Sequence, residues 1–268
     1  MSQVDGEGRA CGEEGRDYRR EAVLSTRPLG EGIFELVASW QGPAPEAGQF
    51  FMMRAARSSL LLGRPISVFD AKEGSLAFVI AQRGEGTREL GELRPGDGLM
   101  LEGPLGSTWD FAAISAAGGE GGGGAKPIAL VGGGIGLAPL AFLARALKAK
   151  SYDIYAGFRS ASWGLEDLVP RETFVFTEDG SAGRKGRVLD GFDASRYASV
   201  HACGPEPMLR ALARLAREAG VPAWLSLERR MACGVGACLG CTVRSTKGNR
   251  RACVEGPIFR AEEVFFDE

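Results

Sequence analysis

The sequence predicts two unlike domains and a small carboxyl-terminal unit: an antiparallel β-barrel, a parallel α/β sheet and a cysteine-rich module. Three observations carry this. Between residues 19 and 111, apolar runs of strand length are punctuated by Gly, Pro and Asp at the spacing of a small barrel. From 127 to 227, strand-like runs alternate with helical ones, the rhythm of a parallel sheet. Four of the six cysteines fall between Cys233 and Cys253.

Composition sets limits on function. Lys plus Arg is 32 and Asp plus Glu is 34, for a net charge of −2. A nucleic-acid binder shows a basic excess, which is absent here, so no nucleic-acid partner is expected. His201 is the single histidine, which excludes a multi-histidine metal site. No run reaches the ~18 apolar residues of a membrane helix, so no membrane partner is expected. Residues 1–18 are rich in Gly, Glu and Arg and read as a disordered tail, neither signal nor anchor, with Cys11 a free thiol in it. The expected compartment is the cytoplasm, where clustered cysteines serve metal or redox chemistry more often than disulfides.

In the first domain the strand candidates are 33–38, 49–53, 65–69, 76–80 and 99–101, the last entered through the turn Arg94-Pro95-Gly96-Asp97-Gly98. Residues 112–126 are almost all Ala and Gly and read as a flexible linker. The second domain has strand candidates at 128–131, 154–157, 174–177, 200–203 and 223–227, with helices over 137–150 and 206–219. Residues 228–268 form the third unit.

Cys233, Cys238, Cys241 and Cys253 have the spacing C-x4-C-x2-C-x11-C. The first three match the plant-type pattern for a [2Fe-2S] cluster, with a fourth ligand further on. Small residues between them, Gly234, Gly236, Ala237 and Gly240, let backbone N–H groups approach the sulfurs. A structural zinc, whose cysteines come as two close pairs, is the rival reading. The arginines around the cluster (229, 230, 244, 250, 251) either offset its negative charge or are simply solvated.

Two further motifs suit phosphates. Gly132-Gly133-Gly134-Ile135-Gly136-Leu137-Ala138-Pro139 follows a strand and opens a helix, offering N–H groups and a helix N-terminus to a dinucleotide pyrophosphate. Its pattern is G-x-G-x-x-P, and no acidic residue follows at the distance that would select NAD over NADP. In the barrel, Arg64-Pro65-Ile66-Ser67 precedes Gly84-Glu85-Gly86-Thr87. An Arg clamps a diphosphate, a Ser hydroxyl bonds a ring nitrogen and a Gly-Thr turn donates N–H groups. Together these describe a flavin site.

These segments, with Gly103-Pro104-Leu105-Gly106 and Cys203-Gly204-Pro205-Glu206-Pro207-Met208, resemble the ferredoxin–NADP reductase superfamily over residues 18–227. With Ser226 to Cys238 and Cys253 to Phe259 added, the chain is most similar to the electron-transfer subunits of type B dihydroorotate dehydrogenases. The resemblance implies FAD in the barrel. Arg64, Pro65, Ile66 and Ser67 would hold flavin and diphosphate, Val79, Ile80 and Ala81 would line the cofactor, and Gly86 and Thr87 would take phosphate. It implies NAD at Gly132, Gly133, Gly134, Ile135 and Gly136, with Cys203, Gly204 and Pro205 near the nicotinamide; a small buried residue is the plainer role for Cys203. It implies a [2Fe-2S] cluster on the four cysteines and no acid–base residue of the chain's own. The implied partner is an FMN-containing dihydroorotate dehydrogenase catalytic subunit, two copies of each chain, working in pyrimidine (UMP) biosynthesis.

The sequence departs from the superfamily pattern in places. Ile66 stands where many members carry an aromatic, and the nearest arginine before the phosphate turn is Arg83. The tail and the Ala/Gly insert are extra. Thr177-Glu178-Asp179-Gly180-Ser181 resembles a further family segment, to which no role is attached. Two alternatives stand beside this reading: a diaphorase subunit of a transhydrogenase or sulfhydrogenase type of complex, and a non-enzymatic dinucleotide-binding protein with a structural zinc.

Overall fold

The computed structural model describes residues 18–118, 126–160 and 162–266. The amino-terminal tail, apart from Tyr18, lies outside these residues, as does the glycine run of the insert. The barrel is built from β1 (Arg19–Gly30), β2 (Ile33–Ser39), β3 (Phe50–Ala55), β4 (Arg64–Lys72), β5 (Ser75–Ala81) and, after helix α1 (Glu85–Glu92), β6 (Gly98–Leu105). It closes in the order β1-β2-β5-β4-β3-β6, every pairing antiparallel. β1 went unread in the sequence because a single residue of its twelve, Val23, is buried. The interior is filled by Leu36, Phe51, Met53, Phe78, Ile80 and Leu101. Alternation along β5 divides its side chains: Ile80 joins this interior, while Val79 faces the second domain.

The second domain follows α2 (Phe111–Gly118) and runs β7 (Ile128–Gly133), α3 (Leu137–Ala146), β8 (Tyr152–Phe158), β9 (Thr173–Thr177), β10 (Arg184–Lys185), β11 (Ser199–Cys203), α4 (Glu206–Glu218) and β12 (Ala223–Ser226). The carboxyl-terminal unit adds β13 (Thr242–Ser245), β14 (Gly248–Arg251) and β15 (Ile258–Arg260). The large sheet has the order β10-β9-β8-β7-β11-β12-β15, parallel except for β15. β7, fully buried along its length, occupies the middle, as the uninterrupted apolar run predicts.

Three expectations need correction. The Ala/Gly stretch is not a linker from its start, because residues 111–118 form helix α2. Asp110 caps it by accepting the Ala113 N–H at 3.0 Å, Ile114 is buried beneath it, and alanine is the best helix former. The third unit is not separate to its end, because β15 pairs antiparallel with β12 as an edge strand of the large sheet. The Gly-Thr segment is not a free turn but the start of α1. There the Thr87 hydroxyl accepts the Arg83 and Gly84 N–H groups and donates to the Gly84 carbonyl.

The barrel has two contact faces. Ala47, Phe69 and Val79 pack with α3 residues such as Leu137 and Ala141. Phe50, Met52 and Leu105 pack with Cys241, Val243, Cys253 and Phe259 of the cysteine module. Arg145 of α3 ties the first face together. It donates to the Phe69 carbonyl at 2.7 Å, lies 4.4 Å over the Phe69 ring, and makes a two-point pair with Asp167.

Candidate functional site

The barrel, the large sheet and the cysteine module meet around a cleft of about 260 Å3. Its barrel wall is Arg64, Pro65, Ile66 and Ser67 of β4, Val79, Ile80 and Ala81 of β5, and Thr87 of α1. Opposite lie Ile135, Ala138 and Pro139 of the β7–α3 turn and Cys203 at the end of β11. These are the carboxyl ends of parallel strands, where such sheets bind ligands. The segment from Ser226 to Arg229, with Met231, closes the cleft. Residues widely separated in the sequence are thus brought to one place.

Sequence reasoning missed the closing segment, together with Phe50, Arg83 and Pro257. Strand pairing puts the segment there: Ser226 ends the strand adjacent to that of Cys203, in register with it. The Arg229 guanidinium donates to Glu206 at 2.6 Å, pinning the segment to the start of α4.

The remaining predicted glycines do not line this cleft. A Cβ on Gly136 would lie 2.3 Å from the Cys203 carbonyl oxygen, and one on Gly133 would strike Met208 and Pro205. Gly132 is less tight, a Cβ there lying 3.0 Å from Leu137 Cα. These glycines and the Cys203-Gly204-Pro205 corner therefore exist to let two backbones touch. Gly134 differs: it has a φ of 55° and open space where a side chain would be. Among the glycines of the turn, it alone leaves room for a ligand. Gly86 approaches Arg64 in the same way, with the guanidinium occupying the position of a side chain. Arg64 also donates to the Leu62 carbonyl.

Two ionisable groups on the cleft are displaced from their ordinary values. Burial pushes the Cys203 thiol up, and the nearby Glu228 carboxylate adds to the effect, so the thiol is neutral and not a nucleophile. Burial also raises Glu228, with Arg83 working against it.

In the cysteine module the four cysteines come together two by two. Cys241 and Cys253 have their Sγ atoms 3.3 Å apart, and the Cys238 N–H donates to Cys233 Sγ at 3.4 Å. Among the described residues they do not converge as three or more on one point. Desolvation pushes the Cys233 thiol up, but the backbone N–H groups of Cys238, Val235 and Ala237 outweigh it and bring it down to about 7. Such N–H groups favour thiolates and fit an anionic sulfur cluster with two thiolates on each of two irons. Three of the neighbouring arginines are already paired with carboxylates: Arg229 with Glu206, Arg250 with Glu263 and Arg251 with Glu255.

A six-stranded antiparallel barrel beside a parallel sheet, with a cleft at the strand ends, defines the ferredoxin-reductase class of fold. Solved structures agree. An NADH-dependent reduced ferredoxin–NADP oxidoreductase matches with a TM-score of 0.75 and 28% identity, over 95% of this chain and 91% of that one. A ferredoxin–NADP+ reductase from Neisseria gonorrhoeae, with FAD and NADP bound, matches in fold at a TM-score of 0.57 and 16% identity, over 77% of this chain and 93% of that one. Residues 228–265 match the family model for the iron–sulfur cluster binding domain of dihydroorotate dehydrogenase B. The electron transfer subunit of dihydroorotate dehydrogenase B (NAD(+)) from Clostridium acetobutylicum is 37% identical over 253 residues, covering 94% of this chain and 98% of that protein. Its counterpart from Caldanaerobacter subterraneus subsp. tengcongensis is 39% identical over 251 residues, covering 91% and 97%. The chain belongs to the family of electron transfer subunits of dihydroorotate dehydrogenase B (NAD(+)). No helix among the described residues is long and apolar enough to cross a membrane.

Proposed function

We propose that this chain carries electrons between NAD and a separate, FMN-containing catalytic subunit that oxidises dihydroorotate, in pyrimidine (UMP) biosynthesis. The assembly is two copies of each chain, in the cytoplasm. The barrel (19–111) holds FAD, the sheet domain (127–227) takes NAD, and the module (228–268) holds a [2Fe-2S] cluster on Cys233, Cys238, Cys241 and Cys253. One observation carries the reading: the closing segment of the cleft runs through Met231 directly into Cys233, so the flavin site and the metal site share a wall.

When bound, the flavin supplies the conversion between hydride transfer and single-electron transfer, and the cluster supplies the single-electron outlet. The chain's own residues bind and orient. Arg64 pairs with the diphosphate, and Ser67 bonds the flavin ring. The first turn of α1 at Gly86 and Thr87 faces phosphate with its helix N-terminus. Ile66 and Val79 cover the ring, with Ile80 and Ala81 completing that wall, and the turn at Gly134 and Ile135 admits NAD. Cys203 provides a small neutral wall at the nicotinamide, beside Gly204 and Pro205, and moves no proton.

The test is an anaerobic preparation of the full chain with flavin, iron and acid-labile sulfide counted, followed by NADH-driven reduction. The expected result is one FAD and two irons with two sulfides per chain, and a flavin and a cluster that bleach with NADH. One zinc in place of iron and sulfide, or no bound flavin, overturns the proposal.

A further inference from the structure

We infer that Leu61 and Leu62, on the barrel loop between β3 and β4, form half of the face that seats the catalytic subunit, the cysteine loop being the other half. This rests on the function proposed above and adds the partner's docking surface to it.

The loop is apolar where a loop is ordinarily polar. Leu60, Leu61 and Leu62 are consecutive, and Leu61 at 92% is the most exposed large hydrophobic among the described residues. Single exposed leucines are common, but grouped ones mark contact surfaces. Leu239 and Val254, also exposed, follow directly on Cys238 and Cys253. Leu239 further adopts a φ of 60°, a left-handed conformation that glycine or asparagine takes with less strain.

The two loops that carry these residues both pack on Met52. A Cβ on Gly63, next to Leu62, would lie 3.2 Å from Met52 Cβ, and one on Gly234, next to Cys233, would lie 2.7 Å from Met52 Cγ. One buried side chain separates the leucine loop from the cysteine loop. An electron leaving through the exposed Cys238 side needs its acceptor close by, so the catalytic subunit must cover that face. A stable interface takes roughly 800 Å2 per partner, a disc of about 16 Å radius, and a disc centred on the cysteine loop extends well past Gly63.

The leucine loop is also pre-formed. Ser58 donates to Glu89 of α1 at 2.5 Å, the Leu60 N–H donates to Ser58 Oγ at 3.1 Å, and the Leu62 carbonyl accepts from Arg64. Its polar side is secured to the barrel while Leu61 and Leu62 are exposed. A surface ordered in advance loses less entropy on docking.

The experiment uses the full chain carrying flavin and cluster, as wild type, Leu61→Ala and Leu61→Glu, titrated with the purified catalytic subunit in a calorimeter. Leu61→Glu is expected to weaken binding by about 30-fold or more, the effect of losing an interface anchor, and Leu61→Ala by a few-fold. Flavin and cluster absorption, and reduction of an artificial acceptor by NADH in the free chain, are expected to match wild type. Unchanged affinity in both variants, with wild type binding, overturns the docking face and leaves the function standing. A loss of self-association in sedimentation, without loss of partner affinity, overturns it in favour of a second copy of this chain. A wild type that does not bind the catalytic subunit overturns the proposed function as well.

Discussion

The sulfurs of Cys241 and Cys253 touch at 3.3 Å because a hairpin lies between them. β13 leaves directly from Cys241, β14 returns with Thr242 opposite Arg251, and the Ala252 N–H donates to the Cys241 carbonyl at 3.0 Å. Cys233 and Cys238 need no such device, since they share one short loop. Replacing either hairpin cysteine, as Cys241→Ser or Cys253→Ser, should abolish cluster absorption and its EPR signal while flavin stays bound. Retention of a full cluster signal in both variants would remove these residues from the ligand set.

Gly86 is expected to control the flavin through Arg64. A methyl group at position 86 would lie 2.3 to 2.5 Å from the guanidinium atoms, which are the movable end of a long side chain. Gly86→Ala should therefore fold normally but push Arg64 off its position. FAD affinity should fall by about tenfold, roughly 1.4 kcal/mol, with little change in melting temperature when both proteins are stripped of flavin. Equal FAD dissociation constants would contradict the assignment of Arg64.

His201 should make the fold sensitive to acid. It is buried against the rings of Trp109 and Trp224, with Nε2 3.0 Å from Ser199 Oγ and Nδ1 without a hydrogen-bond partner among the described residues. Desolvation pushes its pKa down from the ordinary 6.5 to about 3. Between those values the unfolded chain takes up a proton that the folded chain refuses, so stability declines as pH falls from 6.5 towards 3. His201→Gln, which keeps a polar partner for Ser199, should flatten that decline. Denaturant titrations of both proteins across this range supply the check; parallel curves would show that the ring does not contribute.

Arg145 joins the two domains beside the cleft. Its hydrogen bond holds the Asp167 carboxyl below the usual carboxylate range. That contribution is present above the unfolded carboxylate value and lost as pH drops through the lower folded one. Arg145→Met keeps the packing over Phe69 but removes the Phe69 carbonyl bond and the ion pair. The expected loss is about 1–2 kcal/mol near neutrality, shrinking in acid, because Asp167 is largely solvated and its pair is screened. Thermal melts at neutral and acid pH measure it, and a constant difference would rule out the ion pair as its source.

Local pattern in the sequence was enough for five of the six barrel strands, the alternating α/β rhythm and the cysteine spacing. Alternation in β2 and the unbroken apolar run of β7 are direct consequences of which faces are buried. The β1 strand was not legible, since a mostly exposed strand carries no apolar period, and α2 was hidden because alanine and glycine runs look like linker until a buried Ile114 and a capping Asp110 order them. Proximity belonged to the tertiary structure alone. It brought the segment from Ser226 to Met231 to the cleft, used Gly136 to let one backbone rest on Cys203, and paired β15 with β12. Residue spacing reports what neighbours along the chain prefer, whereas these contacts join elements tens to hundreds of residues apart, and only the packed fold decides which surfaces meet.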